Sequence, residues 1–328
     1  MKFDKWILSF TILLILFIYV LLRYEASSNQ IERAIESLSI SEDTKVGKKH
    51  FILIGQEYDN PYWKSVDKGA KDSAKKYDIN IEYVAPLRTS VDEQLKLLEK
   101  AVASKVDGII VQSLDNQKFT PIINQAISKN IPVITIDTDA PDSLRKSYIG
   151  TDNYKAGIQL GQTVAQMTNG KGNIGIIIGS ETSESQKMRL NGLLNVISQY
   201  PNLHVIDRSS SNISKIQASL QAERMLRKYN NINIMVGISA LDAIGISNAT
   251  NNVFDREIQI YGFDGLEETM KGIIDHKIKA TIVQKPYDMG FQGVELLYKS
   301  IQGEKTVKIN YTPTEVITSD NVLQEVRH

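Results

Sequence analysis

The chain contains no cysteine. Disulfides, thiol nucleophiles and cysteine-based zinc sites are therefore excluded, and so is a lipid-modified cysteine as a means of membrane attachment. Histidine is sparse: His50, His204, His276 and His328 are scattered and share no ligand spacing. Neither sign of charge is in excess, with Lys+Arg and Asp+Glu both at 38, so the electrostatic footprint of a nucleic-acid binder is missing. Motifs that carry common chemistry are missing too: there is no G-x-x-x-x-G-K-[ST] loop, no G-x-S-x-G elbow and no H-E-x-x-H helix. Gly170-Lys171-Gly172 comes before an apolar run rather than after one, and reads as a turn. With no nucleophile set beside a base, the chain reads as a non-enzyme that needs neither cofactor nor metal.

The 328 residues suit one or two domains, and 42% hydrophobic with 23% charged residues is ordinary globular composition. The N-terminus differs in kind. An unbroken, charge-free apolar run extends from Trp6 to Leu22, preceded by Lys2 and Lys5 and ended by Arg23. It lies at the short edge of a membrane-spanning helix and exceeds most signal-peptide cores. Ala26-Ser27-Ser28 is a weak cleavage site. Residues 1–25 are expected to be an uncleaved transmembrane anchor, with a cleaved signal peptide as the alternative. Either exports the remainder, and Lys2 and Lys5 favour a cytoplasmic N-terminus. Residues 26–48 read as a juxtamembrane linker in which Ile31, Ile35 and Leu38 share a helical face. That face could pair two copies of the chain, or the stretch could be a stalk with some helicity.

From residue 50, short apolar runs alternate with amphipathic stretches. Phe51–Gly55, Ile79–Val84, Gly108–Val111 and Pro132–Ile136 read as strands, and 62–77, 91–104 and 119–128 as helices. Repeated β-then-α units imply an α/β fold with parallel sheets covered on both faces. The alternation restarts after Gly150, through helical 154–167, a strand over 173–179, helical 184–199 and 213–229, and strands at 203–207, 234–236 and 259–263. A second α/β lobe is therefore expected. The chain crosses to it near Tyr148–Asp152, too briefly for a flexible tether, so the crossing reads as a hinge.

Ligands of parallel α/β sheets sit beyond the carboxyl ends of the strands. The residues there are Asn60, Tyr62 and Trp63 after the first strand, Gln112 after Gly108–Val111, Asp137 after Pro132–Ile136, Asp264 after Tyr261-Gly262-Phe263, and Gln284 after Ala280–Val283. Carboxylates, amides and aromatics at corresponding edges suit a pyranose, whose hydroxyls donate and accept and whose C–H face lies against a flat ring. Each residue has a plainer reading as well. Asp137 could cap a turn, Trp63 could be a core aromatic, Asn60-Pro61 could only start a helix, and Gly262–Gly265 could be a tight turn.

The segments FILIGQEYDNPYWKSVDKGAKDSAKKY, VDGIIVQS, IPVITIDTDAP, YIGTDNYKAG, IYGFDG and KATIVQKPYDMG occur in this order. In order and spacing they resemble the ribose/galactose/xylose-type periplasmic sugar-binding proteins, the type I substrate-binding proteins. The resemblance implies two Rossmann-like lobes joined by a three-crossing hinge. Residues 49–151 and 285–312 would form the N-terminal lobe, and residues 152–284 and 313–328 the C-terminal lobe. It makes Asn60, Tyr62, Trp63, Gln112 and Asp137 sugar contacts of the first lobe, and Lys187 or Arg189, Asp264 and Gln284 contacts of the second. Thr138 stands where the family often has arginine, Ser239-Ala240 where it has Asn-Asp, and Ile213 near its usual aromatic. The anchor without a lipid-bearing cysteine resembles the membrane-tethered xylose-sensing members that pair with a LytS-type histidine kinase. The expectation is an extracytoplasmic monosaccharide receptor, with pentoses, xylose first, as ligands. Its partner would be the extracytoplasmic domain of a histidine kinase, or the permease of an ABC importer. The membrane segment stands where a repressor of the same fold would carry its helix-turn-helix.

Overall fold

The computed structural model describes residues 48–250 and 256–325. The run from Trp6 to Leu22 and the Ile31/Ile35/Leu38 face lie outside these residues. Among the described residues no helix is long and apolar enough to cross a membrane.

The first lobe begins with β1 (His50–Ile54), α1 (Pro61–Lys76), β2 (Asn80–Val84) and α2 (Val91–Ala103). It continues through β3 (Gly108–Val111), α3 (Asn116–Ser128), β4 (Val133–Ile136) and β5 (Ser147–Thr151). The second lobe runs through α4 (Asn153–Met167), β6 (Lys171–Ile178), α5 (Glu184–Ile197), β7 (Asn202–Ser210) and α6 (Lys215–Lys228). After these come β8 (Ile234–Gly237), α7 (Asp242–Thr250), β9 (Gln259–Phe263), α8 (Glu267–Ile274) and β10 (Ala280–Val283). The chain ends with α9 (Pro286–Ile301), β11 (Ile309–Thr312), β12 (Glu315–Thr318) and α10 (Val322–Glu325).

Strands β3, β4, β8 and β10 are buried at every residue, as apolar runs without polar alternation require when helices cover both faces of a sheet. The helix starts carry their caps: Asn60 Oδ1 accepts from the Tyr62 N–H at 3.0 Å with Pro61 in the first turn, and Ser90, Asp115 and Asp152 cap α2, α3 and α4. One start differs from its expected place. Helical periodicity begins at Ile213, yet Asn212 and Ile213 both hold positive φ, 50° and 55°. Ser214 then caps a helix that begins at Lys215. A positive φ is costly for a β-branched residue, so tertiary contacts override propensity here.

Among the described residues the sheets have the orders β11-β5-β4-β3-β1-β2 and β12-β10-β9-β8-β6-β7. The chain passes between them after β5, after β10, and from β11 to β12. All strands are parallel to their neighbours except β12, which runs antiparallel to β10. The exception follows from the connection. The first two passages lead into a helix that carries the chain away from the hinge, so the next strand returns toward it. From β11 the chain enters a strand directly, and that strand must run outward.

In each lobe a helix pair is in backbone contact through glycine. A Cβ on Gly290 of α9 would lie 1.9 Å from the Val66 carbonyl oxygen of α1, and one on Gly157 of α4 would lie 2.0 Å from the Arg189 carbonyl oxygen of α5. Neither helix pair can accept a methyl group without separating. Gly157→Ala is expected to cost about 1–3 kcal/mol, a fall in Tm of several degrees, readable by differential scanning calorimetry. It also displaces the helix that carries Arg189. A variant with unchanged Tm would show that the two helices are not in contact.

Candidate functional site

The carboxyl ends of the strands of both sheets face one another across a narrow polar cleft. Asn60, Tyr62, Trp63, Gln112 and Asp137 line it from the first lobe, and Arg189, Asp264 and Gln284 from the second. Lys187 does not reach it: two residues before Arg189 on α5, it lies in an outer groove and approaches Glu184 at 3.7 Å. Of the alternatives Lys187 and Arg189, the structure brings only Arg189 to the cleft.

The two sheets present their carboxylates in the same way. Asp137 follows β4 and Asp264 follows β9, with φ of 62° and 70°. The Asp137 N–H donates to the Ile149 carbonyl at 3.0 Å, and the Asp264 N–H donates to the Ile282 carbonyl at 2.7 Å, in each case on the neighbouring strand. Behind them the Tyr148 hydroxyl donates to the Asp137 carbonyl, and the Thr281 hydroxyl donates to the Asp264 carbonyl. The left-handed backbone, which Asp tolerates better than most residues, turns each side chain off the sheet end. Each carboxylate then accepts from a glutamine on an adjacent strand end, Gln112 Nε2 to Asp137 and Gln284 Nε2 to Asp264, both at 2.7 Å.

Around Asp137 the Tyr62 hydroxyl donates at 2.7 Å and the Thr138 hydroxyl at 3.1 Å. Burial, with the Asp137 charge after it, pushes the Tyr62 phenol well above its ordinary value, so it stays a donor. Trp63 stands edge-on to Tyr62 at 5.7 Å and is buried in the first lobe's apolar core while also lining the cleft. The core-aromatic and cleft-wall readings of this residue are both true. Asn60 likewise serves as a helix cap and as lining.

Arg189 organises the second lobe's side. Its Nε donates to Asn153 Oδ1 at 2.7 Å, Nη1 to the Ile238 carbonyl at 3.2 Å and Nη2 to Gln284 Oε1 at 3.0 Å, and the guanidinium lies 3.8 Å over the Phe263 ring. Thr151 donates to the same Gln284 oxygen at 2.6 Å, at the hinge. The lobes also meet through Thr138 Oγ1 and Ser185 Oγ at 3.1 Å, and the cleft carboxylates are nearly inaccessible. This is a closed arrangement.

The strand-end reading missed Gln56, Ser183, Ser185 and Gln186. Gln56 stands just past β1, a position the strand-end rule covers. The others follow β6 across a polar loop whose course the sequence pattern leaves open. Ser239, Ala240 and Ile213 also line the cleft. Gln112 Oε1 and Ser239 Oγ are buried there without a hydrogen-bond partner in the protein. Buried polar atoms are rarely left unpaired, so a ligand with donor and acceptor hydroxyls matches what the wall offers. Among the described residues no cluster of His, Cys, Asp or Glu could hold a metal ion.

Burial raises the Asp264 carboxyl to about 6, against the lowering effects of the Arg189 charge and the Gln284 hydrogen bond. Asp242, at the base of α7, is raised to about 6 by burial, against hydrogen bonds from the Ser211 hydroxyl and the Ser239 backbone N–H. Both folded-state values lie above the roughly 3.9 of an unfolded aspartate. Their stability contribution is therefore fully present below about pH 4 and is lost as pH rises through about 6. Asp264→Asn is expected to flatten the dependence of unfolding free energy on pH between 4 and 7. Parallel melting profiles for variant and wild type would contradict the burial argument.

Two α/β lobes, a three-strand hinge and a polar interlobe cleft define a bilobal binding protein, which captures a small ligand between its lobes. Residues 51–305 match the periplasmic binding protein domain model, and the chain belongs to the periplasmic binding protein family, with the type I arrangement of its lobes. It is similar to GanP, a glucose–galactose binding protein from Geobacillus stearothermophilus, at 41% identity and a TM-score of 0.81, over 84% of this chain and 98% of that one. It is similar to the XylFII–LytSN complex at 33% identity and a TM-score of 0.79, over 83% and 98%. The ribose import binding protein RbsB of Bacillus subtilis is 23% identical over 275 residues, 83% of this chain and 89% of the relative.

Proposed function

We propose that the chain is an extracytoplasmic monosaccharide receptor, anchored by the run from Trp6 to Leu22, whose closure on sugar is read by a membrane histidine kinase. The observation that carries the sugar reading is the cleft wall. Two carboxylates, a fixed guanidinium, four glutamines and a buried tryptophan are contributed by the two lobes together. A ligand that touches both lobes gains contacts only in the closed state, and shifts the open–closed population by that difference. The sensor role is supported by the charge-free run and by the likeness to the XylFII–LytSN complex. The likeness to ribose import binding proteins favours a second reading, the receptor of an ABC importer. Resemblance ranks xylose first, and the likeness to a glucose–galactose binding protein adds hexoses.

Calorimetric titration with xylose, ribose, glucose and galactose tests the ligand class, and binding of none of them refutes it. Association with the extracytoplasmic domain of a co-encoded histidine kinase, with and without the bound sugar, tests the sensor. Sugar-dependent complex formation supports it. No association, together with stimulation of an importer's ATPase by the loaded protein, assigns the importer role.

A further inference from the structure

Every strand of the first sheet starts at the face opposite the cleft, because β1 to β5 and β11 are all parallel there. The loops that lead into those strands therefore share one surface. That surface contains an open groove, larger than the cleft. Lys49, Lys105, Lys129 and Lys146 line it, with Ile127, Ile131 and Ile301 among its apolar walls. The acidic lining residue is Asp107, already paired with Lys49 at 2.8 Å and bonded by the His50 N–H. Lys105, Lys129 and Lys146 are exposed and have no acidic partner among the described residues. Beside Lys146, the start of β11 adds Lys308 and a 66% exposed Val307. In a chain whose charges balance overall, gathering like charges around one groove is unfavourable unless a negative partner offsets it.

We propose that this face docks the first lobe on anionic lipid headgroups. The chain enters the first sheet at Lys48–His50, within this same surface. Residues 1–47 are joined to the body there, so the inference rests on the reading of the apolar run as an anchor. A tether that ends in this face holds it at high effective concentration near the bilayer. The lysines would meet headgroup phosphates, and Val307 would enter the interface, the usual combination for peripheral binding. Docked this way, the first lobe is fixed to the membrane and the second lobe swings on closure, so a membrane partner would read the second lobe's position.

The unit from Lys49 onward has its own cores and separates as a compact body, and it can be tested without the anchor. Residues 48–328 should co-sediment with vesicles of phosphatidylglycerol and phosphatidylcholine but not of phosphatidylcholine alone, and should release at high salt. Each Lys→Gln at positions 105, 129 and 146 should lower the partition coefficient about fivefold, and the triple variant about a hundredfold, with sugar affinity unchanged. Equal partition of the triple variant, or equal binding to both vesicle types, overturns the proposal. Binding of soluble inorganic polyphosphate as tight as vesicle binding at matched phosphate overturns the headgroup assignment. Full-length chain mixed with pure phosphatidylcholine vesicles reads the anchor alone. Failure there with lobes that still bind phosphatidylglycerol removes the anchor and keeps the docking face.

Discussion

Arg189→Ala is expected to lower unfolding free energy by about 3–5 kcal/mol, the usual cost of removing one member of a buried charged network, and to weaken sugar binding at least a hundredfold. Arg189 is 4% exposed. It ties the start of α4 through Asn153, the end of β8 through the Ile238 carbonyl and the end of β10 through Gln284. Truncation leaves Asn153 Oδ1 and the Ile238 carbonyl without this donor, each at about 1–3 kcal/mol, while Gln284 Oε1 keeps the Thr151 hydroxyl. It also removes a cation over the Phe263 ring, worth up to about 2 kcal/mol when desolvated. Asp264 loses the positive charge that lowers its pKa and should titrate above its present value of about 6. Arg189→Lys keeps the charge but not the planar fork, and should recover only a minor part of either loss. Denaturant unfolding and calorimetric titration read the two effects separately. A variant with wild-type stability and affinity would refute this account of the second lobe.

The lobes were legible because parallel strands buried on both faces leave runs such as Gly108–Val111 without polar alternation, and the intervening helices keep their amphipathic period. The strand-end rule brought Gln112, Asp137, Asp264 and Gln284 to one cleft because each follows a strand within two residues. It did not reach Lys187 or Arg189, which the family resemblance offered as alternatives. Both lie on α5, and two residues on a helix rotate a side chain to a different face. Nor could it find the left-handed pair Asn212 and Ile213, since a positive φ in a β-branched residue is imposed by surrounding structure. The lysines of the first lobe's base form no stripe in the sequence. They come from four separate connections that only the parallel topology gathers.

Asp137→Ala is expected to weaken sugar binding by about 2–4 kcal/mol, thirtyfold to a thousandfold. Tyr62, Gln112 and Thr138 all donate to this carboxylate, in a wall where Asp137 itself is 8% exposed. Its removal strands a phenol and an amide that were aimed by it, so their loss adds to that of the carboxylate's own contact with hydroxyls. Alanine brings a second penalty, because φ is 62° here, and a left-handed alanine costs about 1 kcal/mol. The asparagine variant separates the two. Asparagine tolerates this backbone and matches aspartate in shape: its Oδ1 can still accept from Gln112 while its NH2 donates to the Tyr62 hydroxyl, but it lacks the charge and one of the two acceptor oxygens that sugar hydroxyls would meet. Asp137→Asn should therefore fold with nearly wild-type Tm while losing at least tenfold in affinity, and Asp137→Ala should lose in both. Calorimetry of binding beside thermal melts of the two variants distinguishes them. Unchanged affinity in the asparagine variant, for a sugar the wild type binds, would show that the carboxylate only supports the first lobe's wall and does not meet the ligand.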